Sequence, residues 1–108
     1  MSAQLKRIEG QVEGIKQELL ALGHMRPGSI TMQYRQPKEK LKPFYQLSYT
    51  FRMRSRTEYV RQDDVAALSE ETANFKRFKK LIDKWVELEL AASQLRVKSG
   101  REKTPKGS

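Results

Sequence analysis

The spacing of the apolar residues changes twice along the chain, and this change limits the possible folds more than any other feature. Between residues 3 and 22 the apolar side chains are separated by steps of three and four residues in turn. That spacing is typical of a helix in a coiled coil or a tightly packed helical hairpin. From 29 to 62 apolar and polar residues alternate, which is typical of strands. From Asp63 to about Val97 the helical spacing returns.

The alternating middle segment predicts three strands. The turn sequence Arg-Pro-Gly-Ser at 26–29 separates it from the first helix. A loop bounded by prolines at 37–43 follows the first strand, and residues 53–55 connect the second strand to the third. The predicted strands are Ser29–Gln36, Phe44–Arg52 and Arg56–Gln62.

These elements predict an α+β fold with a long N-terminal helix, a three-stranded antiparallel meander and a longer C-terminal helix, the helices packing as a helical hairpin or coiled coil. One domain is expected over residues 1–97, followed by a disordered basic tail over 98–108.

The lengths of the two predicted helices also predict a homodimer. At 1.5 Å per residue the first helix is about 30 Å long and the second about 50 Å, so the first cannot cover all of the second. The stripe from Trp85 to Leu95 then needs another partner, and a second copy of the chain is the simplest one. The residues expected to pack the helices and the dimer are Leu5, Ile8, Val12, Ile15, Leu19, Leu22, Phe75, Phe78, Ile82, Trp85, Leu88 and Leu95.

The positive charge is concentrated in the middle of the chain. The formal net charge is +9. Residues 23–62 contain nine basic and two acidic side chains, a net +7, whereas residues 1–22 are neutral and residues 63–95 sum to −2. Charge concentrated on one element in this way indicates a polyanionic partner, and nucleic acid is the leading candidate.

The polar face of the sheet is the predicted contact surface. Arg and Lys suit phosphates and guanine edges, Gln suits adenine, and Thr suits a phosphate or a thymine methyl group. A small sheet fits the width of a major groove, so double-stranded DNA is the favoured target, and single strands and RNA stay open as alternatives. The predicted contact residues are Gln33, Arg35, Lys38, Lys40, Lys42, Gln46, Thr50, Arg52, Arg54, Arg56, Tyr59 and Arg61.

A second interpretation remains open. The chain could instead be a structural or interaction module, whose heptad helices bind a partner and whose basic sheet meets an acidic protein surface. A basic patch by itself does not separate these two classes.

The composition argues against an enzyme. There is no cysteine, so thiolate metal sites are excluded, and the single histidine, His24, leaves no histidine cluster for a metal or a nucleophilic triad. The carboxylates Asp63, Asp64, Glu70 and Glu71 lie together at a predicted helix start, where the helix dipole explains them. We therefore expect no catalysis, no cofactor, no metal and no small-molecule substrate.

The sequence contains no apolar run near the roughly 20 residues that a membrane span needs. It also shows no signal-peptide pattern. We therefore expect a cytoplasmic protein without membrane contact.

Four short motifs in the middle of the chain resemble those of a known family. They read Arg-Pro-Gly-Ser-Ile from 26, Gln-Tyr-Arg from 33, Pro-Phe-Tyr-Gln-Leu-Ser-Tyr-Thr from 43 and Ser-Arg-Thr-Glu-Tyr-Val from 55, and Asn-Phe-Lys-Arg-Phe-Lys-Lys-Leu-Ile-Asp follows from 74. Together they resemble a family of short, uncharacterised bacterial proteins that are often encoded beside transposases and other mobile-element genes. The resemblance covers about residues 19–95 and implies an association with mobile elements, but the family has no established activity to carry over.

This chain departs from the family at one place. Members typically carry a cysteine cluster just after the first strand, similar to a small metal knuckle. Here residues 36–43 contain no cysteine and carry three lysines instead. Any metal role of the family is therefore not implied for this chain.

Overall fold

The architecture is α+β, as the sequence predicts. In the computed structural model the described residues are 3–36, 38–39 and 41–103, with only the backbone described for 41, 42 and 101–103. The elements in chain order are helix α1 (Ala3–Ala21), strands β1 (Ser29–Gln36), β2 (Leu41–Phe51) and β3 (Arg54–Val60), a 3-10 turn (Gln62–Asp64) and helix α2 (Val65–Lys103). No helix in this described part has the length and apolar character needed to cross a membrane.

The chain divides into two compact units. The first, called here the helical unit, consists of residues 1–22 and 78–108, and the second, called the sheet unit, consists of residues 23–77. Helix α2 contributes to both, because its residues 65–77 belong to the sheet unit and the remainder to the helical unit.

The core of the helical unit is formed by the apolar stripe of α1 and a matching stripe of α2. The two helices run antiparallel, since Arg96 donates a hydrogen bond to Glu9 at 3.4 Å while Lys16 lies 5.6 Å from the ring centre of Trp85. The buried residues are Leu5, Ile8, Val12, Ile15, Leu81, Leu88 and Ala92, and Leu19, Leu22, Trp85, Ala91 and Leu95 pack against them.

The expectation that residues 85–95 lack cover within the chain is wrong. Leu88 and Ala92 lie in one buried cluster with the side chains of α1. The length argument fails because the buried residues of α1 form one cluster with Leu81, Leu88 and Ala92, and Trp85 and Leu95 pack against it. The length mismatch therefore gives no reason for a second copy of the chain. Of the residues predicted to pack the helices and the dimer, Phe75 lies in the sheet unit, and Phe78 and Ile82 are half-buried and are not among the residues of this cluster.

Helix α2 also continues beyond the predicted end. Its last residue is Lys103, so the expected stop at Val97 is too early and residues 98–103 are helical, not a disordered tail. Residues 104–108 of the predicted tail lie outside the described residues.

The sheet unit contains an antiparallel meander in the order β1-β2-β3. Leu47 of the central strand is fully buried and Val60 is 3% exposed. Thr72 of α2 is also buried, and its hydroxyl donates to the carbonyl of Ser69 at 3.0 Å. The bounds of β1 are as predicted, whereas β3 begins two residues earlier than expected, at Arg54.

Gly28 fixes the entry into β1. Its φ is +137°, in a region that L side chains rarely adopt, and a Cβ at this position would lie 2.8 Å from Cδ1 of Leu47. Just before it, the backbone N–H of Arg26 donates to the carbonyl of Glu71 at 3.1 Å, and the amide of Asn74 donates to the carbonyl of His24 at 2.9 Å. Only glycine can bring the backbone this close to Leu47 with that conformation.

Candidate nucleic-acid interface

The strand register decides which side chains share a face of the sheet. In an antiparallel sheet, residues directly opposite each other on neighbouring strands point to the same side. Leu47 lies opposite Ile30 and Glu58, so these three residues share the face that contains the buried core, called here the core face. Ser48 lies opposite Ser29 and Thr57 on the other side, called the hydroxyl face.

The hydroxyl face is held together by short polar contacts across the strands. The hydroxyls of Ser48 and Thr57 are 3.2 Å apart, and those of Thr50 and Ser55 are 2.8 Å apart. Such cross-strand pairs stabilise an antiparallel ribbon. The register and strand alternation place on this face Thr31, Gln33, Arg35, Phe44, Gln46, Ser48, Thr50, Ser55, Thr57 and Tyr59.

The hydroxyl face therefore carries Gln33, Gln46, Thr50 and Tyr59 as predicted, but few of the side chains that the structure describes on it are basic. Arg35 is the one arginine among its strand residues, and its guanidinium lies 4.8 Å from the ring centre of Phe44. Arg52 and Arg61, which were also expected on this face, lie outside the strands, and Arg54 and Arg56, which were expected to flank it, lie on the core face.

The register explains where the other arginines lie. Arg54 is opposite Phe51 and Arg56 is opposite Tyr49, so both are on the core face. Arg52 is in the turn that follows β2, not on the strand as predicted. Arg61 follows the end of β3 and is exposed.

The β2–β3 turn brings three arginines to the end of one hairpin. It consists of Arg52 and Met53 alone, with φ of 52° and 66°. Positive φ at both central residues is typical of the type I′ turn, which matches the twist of the flanking strands. Neither residue is Gly or Asn, so each conformation costs about 1–2 kcal/mol. Residues 51–56, called here the arginine tip, contain Arg52, Arg54 and Arg56.

Every residue of the arginine tip is exposed. Met53 is 98% exposed and Phe51 is 57% exposed. The guanidinium of Arg52 lies 5.1 Å from the ring centre of Phe51. No ion pair among the described residues involves an arginine of the tip. These three charges are thus available to an external anion.

Arg26 provides the contrast within the same unit. It pairs with Glu58 at 3.4 Å, lies 5.0 Å from the ring centre of Tyr49, and its side chain is only 25% exposed. This arginine is occupied by contacts inside the sheet unit.

The predicted lysine loop is described only in part. Lys38 is exposed in the turn after β1. Lys40 and the side chain of Lys42 lie outside the described residues.

Met53 is a candidate residue that the sequence pattern does not single out. The pattern places it in the connection 53–55 before the third strand, whereas it is the second residue of the two-residue turn. Arg-Met carries none of the Gly or Asn signals of such a turn. The available signal is an apolar side chain between closely spaced arginines.

The acidic residues near the start of α2 do not form a recognisable site. Asp63 and Asp64 belong to the 3-10 turn that precedes the helix, whereas the helix itself begins at Val65. Within the described ranges, no group of three His, Cys, Asp or Glu side chains could hold a metal ion.

Comparisons of this chain with protein-family models, with curated proteins and with solved structures find no match.

Proposed function

We propose that this protein binds nucleic acid without catalysing a reaction, that its target is double-stranded DNA, and that the arginine tip makes the principal contacts. The observation that carries the proposal is the group of three exposed arginines at one hairpin end, with no carboxylate partner among the described residues. A guanidinium group forms paired hydrogen bonds to phosphate oxygens and stays charged at any physiological pH.

The geometry of the hairpin supports contacts to several phosphates. Arg54 and Arg56 project from the same face of β3 and are two residues apart, about 7 Å along the strand. Arg52 extends from the turn itself. The three charges therefore reach different phosphates along a groove instead of competing for one. The hydroxyl pairs on the opposite face hold the two strands together while they do so.

The other predicted contact residues have lesser roles in this proposal. Lys38 and Arg61 are exposed and add to the attractive field that steers a polyanion. Gln33, Gln46 and Tyr59 lie on the hydroxyl face, away from Arg54 and Arg56. The association with mobile elements, which the family resemblance implies, belongs to the proposal as its biological setting.

The test compares charge reversal at the tip with the same reversal elsewhere. Fluorescence anisotropy would measure binding to a labelled duplex and to the matching single strand at two salt concentrations. The tip variant is Arg54→Glu with Arg56→Glu. The control is Lys6→Glu with Arg7→Glu, which changes the net charge equally at exposed positions of α1.

We expect salt-sensitive binding by the wild type with a preference for the duplex. The tip variant should lose most of its affinity. The slope of log affinity against log salt should also become shallower, by the equivalent of about two phosphate contacts. The control should bind much as the wild type does. Equal losses in both variants would show that only net charge matters. No binding by the wild type at low salt would overturn the proposal and favour an acidic protein partner.

A specific feature of α2 supports a second proposal, the self-association of the helical unit. Val86, Leu90 and Val97 are 54%, 61% and 52% exposed. Together with Ser93 these residues are spaced by four, three and four positions, so the spacing is the same in either direction along the helix. An antiparallel copy of α2 would place Val86 opposite Val97 and Leu90 opposite Ser93, as a twofold-symmetric interface requires.

This homodimer is tested independently of DNA. Sedimentation velocity would compare the wild type with Leu90→Glu and with Leu20→Glu, which alters another exposed leucine in the helical unit. We expect the first change to produce monomers and the second to leave the dimer intact. A monomeric wild type at the concentrations of the binding titration would overturn this second proposal.

A further inference from the structure

The end of the arginine tip combines an apolar side chain with a backbone conformation that does not favour it. Met53 is the most exposed of the large apolar side chains that the structure describes, at 98%. Type I′ turns favour Asn-Gly because both central residues need positive φ, yet Arg52 and Met53 occupy these positions. Local backbone preference therefore does not explain why Arg and Met occupy these two positions. Backbone outliers of this kind point to a role of the side chains.

The surroundings of Met53 indicate the kind of surface that it meets. Arg52 precedes it and Arg54 follows it, and neither has an ion-pair partner among the described residues. Its target must therefore present apolar surface between two lines of negative charge. The base faces of a partly unstacked base-pair step have this character, because they are apolar and phosphates border the groove on both sides.

The chemistry of the tip distinguishes between the two grooves. The major groove, about 12 Å wide, admits a whole two-stranded ribbon, whereas the minor groove, about 6 Å wide, admits only the side chains at its end. Arg52 and Met53 alone form the turn, so their side chains lead the hairpin. Arginines that enter the minor groove, together with apolar wedges such as Met between base pairs, are an established way of kinking DNA.

We infer that the arginine tip enters the minor groove of duplex DNA and that Met53 inserts there as a wedge that bends the duplex. The inference rests on the proposed function and adds to it the groove, the inserted residue and a change of DNA shape. Phe51 precedes the turn on the core face and is 57% exposed. Its ring packs against the guanidinium of Arg52 and so helps to hold the tip.

The experiment measures DNA bending and DNA affinity separately. A duplex of about 25 base pairs with a donor and an acceptor dye at its two ends reports the end-to-end distance by energy transfer, and anisotropy reports affinity. Both are measured for the wild type, Met53→Gly, Met53→Leu and Met32→Ala. Met32 is a matched control because it is 48% exposed and lies on β1, outside the tip.

Met53→Gly separates loss of the wedge from loss of the hairpin. Glycine adopts a φ of 66° without strain, so this variant keeps the turn and removes only the side chain. We expect the wild type to raise energy transfer and Met53→Gly to abolish the increase, with a smaller loss of affinity than the double arginine variant. Met53→Leu should still bend the duplex, because leucine is also an apolar wedge. The control Met32→Ala should behave as the wild type.

The contrary results are distinguishable from failure of the proposed function. If the wild type binds the duplex without changing energy transfer, or if Met53→Gly bends it as the wild type does, the wedge is overturned while DNA binding stands. If a ligand specific for the A·T minor groove, such as netropsin, fails to compete on an A·T-rich duplex, the groove assignment is overturned. If the wild type does not bind DNA at all, the proposed function and the wedge both fall.

Discussion

The helical unit and the sheet unit use their side chains in opposite ways. Of the ten buried residues among those described, seven belong to the helical unit and three, Leu47, Val60 and Thr72, to the sheet unit. In the helical unit Arg96 reaches both Glu9 and Glu89, at 3.4 and 3.3 Å. In the sheet unit three arginines lie at an exposed hairpin end without such partners among the described residues. Burial is concentrated in the helical unit, and the arginines of the tip lie in the sheet unit.

The largest expected effect concerns the small core of the sheet unit. Leu47 is fully buried, and few other residues share its core, so Leu47→Ala should cost about 2–5 kcal/mol. Amide hydrogen exchange would show where this loss falls. We expect faster exchange in β1, β2 and β3 and little change in α1. If exchange in α1 accelerated by the same factor as in the strands, the two units would unfold together. That result would contradict the contrast drawn between them.

A pair of glycine substitutions should have effects of opposite sign in the two units. Gly28→Ala should destabilise the sheet unit by about 1–3 kcal/mol, because alanine is strained at φ +137° and its Cβ would meet Leu47. Gly14 lies within α1 with no atom near its Cβ position, so Gly14→Ala should stabilise the helical unit by about 0.5–1 kcal/mol. Urea denaturation followed by circular dichroism measures both changes. Destabilisation by Gly14→Ala would contradict this description of α1.

Smaller effects than that of Leu47→Ala are expected at Arg26 and Arg96, which both form ion pairs. Arg96→Gln should cost at most about 1 kcal/mol, because its side chain is 48% exposed and its ion pairs are screened by salt. Arg26→Gln should cost more, about 1–2 kcal/mol, since Arg26 is less exposed and also lies over Tyr49. Denaturation at low and high salt measures both, and the difference for Arg96→Gln should shrink as salt rises. A larger cost for Arg96→Gln would reverse the expected order.

The regular parts of the fold could be predicted from the sequence because they repeat a simple pattern. The stripe from Leu5 to Leu22 indicated α1 and its packing face, and the alternation from Ser29 to Gln36 gave the bounds of β1. The alternation Tyr45, Leu47, Tyr49 identified the side of β2 that contains the core. These features depend on neighbours a few positions away, which the sequence displays directly.

The candidate site could be predicted only in part, because its geometry depends on one turn. The basic character of residues 52–56 was evident, but their placement was not. A turn at Arg52 and Met53 sets Phe51 opposite Arg54, and this register places Arg54 and Arg56 on the core face. A shift of one residue would have placed both arginines on the hydroxyl face. No Gly or Asn marked the turn, so the register could not be inferred.

The sequence by itself determined the order of helices and strands, the buried stripe of α1 and the region that carries the positive charge. Local periodicity and composition are sufficient for these. Only the tertiary structure decided that α1 covers the later part of α2, that the arginines gather at a hairpin end, and that Met53 lies at its outermost point. The physical reason is that helix pairing and strand register are set by contacts between residues far apart in the chain, and a single turn residue determines which side chains those contacts leave exposed.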